Sequence, residues 1–101
     1  MQLEKLHEDR FSKMLNSEFQ VMDSPSAEFA LKLVEVTNLA SSSNQEVFSL
    51  LFHGPTQHLI QQGIHRLKHN ELGEFDIFLV PVGQNENGFE YEAVFNRIEA
   101  P

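Results

Sequence analysis

The chain has 101 residues, 41% hydrophobic and 22% charged, enough for one compact domain and too few for two. No run approaches the roughly 20 apolar residues that cross a bilayer, and Gln2, Glu4 and Lys5 stand where a secretory signal would begin, so a soluble, cytoplasmic protein without a membrane partner is expected. Cysteine is absent, which excludes disulfides and thiolate chemistry, and seven basic against fifteen acidic residues give a formal charge of -8 that opposes binding to nucleic acid.

In residues 3–15, Leu3, Leu6, Arg10, Phe11, Met14 and Leu15 fall near one face at a 3.6-residue period, which predicts a short amphipathic helix. Asn16 ends it, because asparagine enters the left-handed backbone region more readily than other non-glycine residues. The period then changes toward 2, with Phe19 and Val21 on one side of a short strand and Glu18, Gln20 and Met22 on the other. Asp23, Ser24, Pro25 and Ser26 are turn chemistry. In residues 29–37 the apolar face slips from Leu31 and Leu33 to Val34 and Val36, which predicts a bulge near Leu33 and Val34 or burial on both faces. Residues 38–45, with three serines between asparagines, read as an exposed connection.

Residues 46–53 alternate, with Phe48, Leu50 and Phe52 on one face and Val47, Ser49, Leu51 and His53 on the other, until Gly54 and Pro55 stop the strand. Pro55 suits the first position of a helical turn, so residues 55–60 are expected to form one, and Gly63 reopens the extended chain. Residues 64–69 form a strand, 70–73 a tight connection, and 74–82 a strand apolar on both faces apart from Asp76. Residues 83–88 are a hairpin loop, and 89–96 return with Phe89, Tyr91, Ala93 and Phe95 inward and Glu90 and Glu92 outward. The expected fold is therefore mainly β with one N-terminal helix (α+β). It is a small antiparallel six-stranded barrel or two-layer sandwich ending in a three-stranded meander, with residues 1–101 one domain and a β-rich body over 17–97. Phe78 and Phe95 are its expected core anchors.

The five histidines raise the question of a metal. His65 and His69 project from one strand face, but four residues of extended chain separate them by roughly 13 Å, too far for one ion held about 2 Å from each nitrogen. His53 and His58 flank Gly54 and Pro55 without a ligand pattern around them. There is no GxSxG turn for a nucleophile, and the glycines at 54, 63, 73, 83 and 88 end strands rather than forming a phosphate loop. No catalytic residue, cofactor site or metal site is therefore assigned, and no enzyme activity is expected. Residues 71–101 are strongly acidic, with Glu71, Glu74, Asp76, Glu86, Glu90, Glu92 and Glu99 against Arg97. Either these carboxylates keep the domain soluble, or they present a docking surface, for which Glu74, Glu90 and Glu92 are the candidates.

Phe-His-Gly-Pro at 52–55, Gln-Gly-Ile-His at 62–65, Leu-Lys-His at 67–69, Leu-Gly at 72–73, Ile-Phe-Leu-Val-Pro-Val-Gly at 77–83 and Tyr-Glu-Ala-Val-Phe-Asn at 91–96 together resemble a family of small bacterial proteins of unknown function, the DUF6916 type. The resemblance runs from about Phe11 to Asn96. It implies one small domain with no assigned activity, ligand or cofactor, and an association with phage-tail-like assemblies. It also implies that Gly54, Pro55, Gly73, Pro81 and Gly83 are corners of the fold and that His69 stabilises the adjoining turn by hydrogen bonding.

Three functions follow in order. The first is a non-catalytic interaction or structural domain, with a protein partner or a second copy of itself met through the acidic meander or an adjoining strand edge. The second is a β-barrel for a small apolar ligand, which requires a cavity of roughly 300 Å³ among Phe48, Phe52, Phe78 and Phe95. The third is an enzyme of unknown type.

Overall fold

Alternation of buried and exposed residues governs most of the backbone, as expected of strands with one face on a core and one in solvent. The computed structural model describes residues 7–22, 29–42, 44–57 and 59–98. Among them are one helix, α1 (Glu8–Ser12), and six strands: β1 (Glu18–Val21), β2 (Ala30–Ser42), β3 (Gln45–Gly54), β4 (Gly63–His69), β5 (Gly73–Asn85) and β6 (Gly88–Ile98). Neighbouring strands are all antiparallel, in the order β1-β2-β3-β6-β5-β4. The sheet then closes on itself, because β4 returns to β1 through Gln20 opposite Lys68 and Val21 opposite Leu67. The expected meander is β4, β5 and β6. Among the described residues no helix is long and apolar enough to cross a membrane.

The inward faces form one core. Phe19, Leu31, Leu33, Phe48, Leu50 and Phe52 are fully buried in it, as is Tyr91. Phe48 lies opposite Phe95 across the β3–β6 ladder, and the two rings stack at 4.7 Å. Phe19 meets Phe52 edge-on at 5.3 Å, so the aromatic rings fill the interior by touching one another. The Tyr91 hydroxyl accepts the Ile60 backbone N–H at 2.9 Å, which pins the β3–β4 connection to the core.

The helix is shorter than its periodicity suggests. It covers Glu8–Ser12 and passes through a turn to Asn16, whose φ of 69° ends it as expected. Residues 1–6 lie outside the described residues. Phe11 is the buried residue of α1 and lies 5.6 to 6.1 Å from the rings of Phe95, Phe75 and Phe48, closing one end of the core. Arg10 is not buried, and Leu15 is exposed. Hydrogen bonds to the sheet take over at once: Asn16 donates its N–H to the Leu33 carbonyl at 2.7 Å, and Leu33 donates to Ser17 at 3.1 Å. The start of α1 is held by Glu46 of β3, whose carboxylate meets the His7 ring at 3.0 Å.

The expected bulge is present, since the β2–β3 register shifts between Leu33 and Glu35 and transfers the inward set from Leu31 and Leu33 to Val36. A second shift lies between Asn38 and Ala40. The expected exposed connection over 38–45 is instead mostly strand, because β2 and β3 remain paired as far as Ser42 opposite Gln45. Asn38 and Ser42 within it are exposed but ladder-bonded. The expected loop over 83–88 is likewise reduced to a turn at Glu86 and Asn87, with the Asn85 side chain accepting the Asn87 N–H at 2.8 Å. Pro81 sits beside a third register shift, between Pro81 and Gly83, where a missing ladder donor is tolerated. Thr56 and Gln57 make a turn within the stretch 55–60 where one short turn is expected, and His58 and the expected turn at 23–26 lie outside the described residues.

Candidate functional site

Two groupings emerge from this frame. The first is on the outer face of the meander. Strand β5 is not apolar on both faces in the sense of double burial. Phe75, Ile77 and Leu79 point inward, while Phe78 is 50% and Val82 51% exposed. Phe78 is thus not a core anchor. Ile64 of β4, 68% exposed, lies opposite Phe78. Val80 lies opposite Glu92, where the β5–β6 ladder ends, and beyond it Phe78 and Val94, which is 58% exposed, line one groove. Ile64, Phe78 and Val94 thereby make a solvent-facing apolar row across three strands.

Carboxylates rim this row, but not as one cluster. Glu90 and Glu92 share the outer face of β6, opposite His53 and Leu51 of β3. Glu74 lies six residues before Val80 on β5, roughly 20 Å from the level of Glu92, and faces Lys68 across the β4–β5 ladder. Between them Asp76 takes two hydrogen bonds from Arg66, at 3.0 and 3.3 Å, and the Arg66 guanidinium holds its carboxyl below the usual range. The apolar row escaped sequence reasoning because Phe78, Val80 and Val82 were assigned to a second buried face. Its signal was the three outward apolar residues in succession.

The second grouping joins residues 52 positions apart. His69, which ends β4 and is buried, lies with Nε2 2.9 Å from the Ser17 Oγ. Its Nδ1 accepts the backbone N–H groups of Glu71 at 3.0 Å and Leu72 at 3.3 Å. Both donors reach one nitrogen, so Nδ1 carries no proton and Nε2 must, which makes His69 the donor to Ser17. Ser17 in turn donates to the Met14 carbonyl at 2.5 Å. Burial pushes the imidazole pKa down, against the opposing pull of Glu71.

A histidine beside a serine, in a polar recess of about 530 Å³ with Lys32, Glu18 and Glu71, has the composition of a nucleophile and its base. The proton order is reversed for that chemistry. A base must accept the serine proton, whereas here the imidazole gives one and its other nitrogen is committed to the turn. The group locks the Asn70 to Gly73 turn to the end of α1, with Gly73 at φ 81° supplying the left-handed residue that a three-residue hairpin loop needs.

His65 meets the Gln61 carbonyl at 2.7 Å, His53 lies on β3, and His58 is outside the described residues. Among the described residues no three His, Asp or Glu side chains gather as metal ligands.

A model of a domain of unknown function, DUF6916, matches residues 6–95. The chain belongs to this family. The DUF6916 match takes in α1, Ser17, His69, the outer row and all of the core named above. Comparison with curated proteins and with solved structures finds no match.

Proposed function

We propose that this DUF6916 domain is a non-catalytic protein-interaction module, an accessory of a larger assembly, that binds a basic protein partner through the outer face of β4, β5 and β6. The observation that carries this reading is the row of Ile64, Phe78 and Val94, all at least half exposed, with Glu74, Glu90 and Glu92 around it. Contiguous exposed apolar side chains bordered by charge are a common composition for a contact surface, with the apolar centre supplying affinity and the rim supplying partner choice and rate.

The apolar-ligand reading has less support, since Phe48, Phe52 and Phe95 are occupied with one another or with Phe19 and Phe78 faces solvent. The test is affinity capture from the native cell with two variants, Glu90→Lys with Glu92→Lys, and Phe78→Ser with Val94→Ser. Both should lose the partner taken by the wild type while melting within a few degrees of it. A protein that keeps every partner in both variants, at low and high salt, would make the face a solubility feature and remove the proposal.

A further inference from the structure

We infer that the turn between β4 and β5 is a proton-operated latch. A proton taken up at His69 Nδ1 detaches the backbone of Glu71 and Leu72 from the ring and opens the turn, while the Nε2 bond to Ser17 and the rest of the sheet stay closed. The latch stands whether or not the outer face is a contact surface. The wiring of the ring decides which atom the proton reaches. Nε2 already carries a hydrogen, which it donates to the Ser17 Oγ at 2.9 Å, and Ser17 donates its own to the Met14 carbonyl. Nδ1 is the basic atom of the ring that is left, and its lone pair holds the Glu71 and Leu72 N–H groups at 3.0 and 3.3 Å.

A proton on Nδ1 turns that acceptor into a third donor aimed at two others. The Glu71 N–H, at an exposed residue, can turn to water, but Leu72 is fully buried and its N–H reaches water only if the turn moves. Gly73 at φ 81° closes the turn, and the ladder begins beyond it with His69 opposite Gly73 and Lys68 opposite Glu74. Opening therefore starts at the end of the β4–β5 hairpin that carries Glu74. The β3–β6 ladder, from Gln45 opposite Ile98 to Gly54 opposite Phe89, contains none of these residues.

The surroundings of the ring set the sign of its response. His69 packs on Phe19 at 4.5 Å, and burial opposes its charged form. The charged groups that line its recess are Glu18 of β1, Lys32 of β2 and Glu71 of the turn. Glu18 and Lys32 lie opposite each other across the β1–β2 ladder and offset one another, which leaves Glu71 as the carboxylate that draws a proton to the ring. In the opened turn the ring is rehydrated and its pKa returns toward the ordinary value of about 6.5, so acid favours the open form. The latch is closed above that pH and opens as the pH falls from there through the folded-state value.

The test is NMR of the full chain, labelled with nitrogen-15 in backbone and imidazoles, titrated from about pH 8 to about pH 4. At the alkaline end the Nε2–H tautomer and a scalar coupling across the Glu71 N–H···Nδ1 bond should both be seen. With falling pH the coupling should vanish and the Glu71 and Leu72 amide signals should move in step with protonation of the ring, while those of the buried, paired Leu50 and Ala93 keep their folded positions. Glu71→Gln, which removes the carboxylate, should shift both events to lower pH together. An Nδ1–H tautomer at the alkaline end, ring protonation that leaves the Glu71 and Leu72 amides unmoved, or separation of the two events in Glu71→Gln would each overturn the latch. A ring that stays neutral until the Leu50 and Ala93 signals collapse would show that the proton unfolds the whole domain, and would overturn local opening.

Discussion

Replacing His69 by leucine should destabilise the domain by more than its position at a turn suggests. The imidazole accepts two backbone N–H groups and donates to Ser17. Leu72 is fully buried, so its N–H would lose its partner out of reach of water, at a cost of about 1 to 3 kcal/mol. The Glu71 N–H is at an exposed residue and can be rehydrated, and Ser17 keeps its bond to Met14. The ring also packs on Phe19 at 4.5 Å, a contact of the kind worth about 0.5 to 1.5 kcal/mol. A total of about 2 to 4 kcal/mol corresponds to a fall in Tm of roughly 10 to 25 °C for a domain of this size.

Asparagine offers an oxygen near the place of Nδ1, so His69→Asn should recover part of that loss where leucine recovers none. A pH arm separates this from simple packing. Burial holds the folded-state pKa below the ordinary 6.5, so the unfolded chain binds a proton first as the pH falls. The stabilisation is complete above about pH 6.5 and is lost as the pH drops from there through the folded-state pKa. The Tm of the wild type should therefore fall from pH 8 to pH 5, and part of that slope should vanish in His69→Leu. Equal Tm values at pH 8, or an unchanged slope in the variant, would refute the wiring described for this histidine.

Phe95→Ala should cost about 3 to 5 kcal/mol, because the ring is 7% exposed and packs on Phe11 and Phe48, whereas Phe78→Ala should cost under about 1 kcal/mol. Urea denaturation of the pair checks this, and a larger loss at Phe78 would reverse the inward and outward faces of β5. Gly54→Ala should cost about 1 to 3 kcal/mol by overpacking, since the added carbon would stand 2.7 Å from Leu31 and 3.2 Å from Tyr91. A neutral result in the same assay would show that the core yields there.

The strands were legible wherever one face was apolar and the other polar, as in Phe48, Leu50 and Phe52 of β3 and Tyr91, Ala93 and Phe95 of β6. The phase slip at Leu33 and Val34 also announced a bulge from local pattern alone. Where both faces carried apolar residues, as in β5, the pattern had no means of saying which face met the core. Residues 38–45 misled for the opposite reason. Their polar composition predicts exposure, and Asn38 to Ala40, Ser42 and Asn44 are exposed, but exposure does not prevent a backbone from pairing with a neighbouring strand.

Periodicity, turn chemistry and composition therefore determined the β-rich class, the end of the helix at Asn16, most of the strand cores and the acidic balance, because each depends on residues close together in the chain. Only the tertiary structure decided that β4 returns to β1, that Phe78 aligns with Ile64 and Val94 in solvent, and that the ladder of β5 and β6 opens after Val80. It also decided that His69, whose turn-bonding role the family resemblance implies and whose bonds to the Glu71 and Leu72 N–H groups bear it out, reaches Ser17 52 residues away. These are consequences of register between distant strands. A shift of one residue in that register would send each of these side chains to the other face without altering the local pattern.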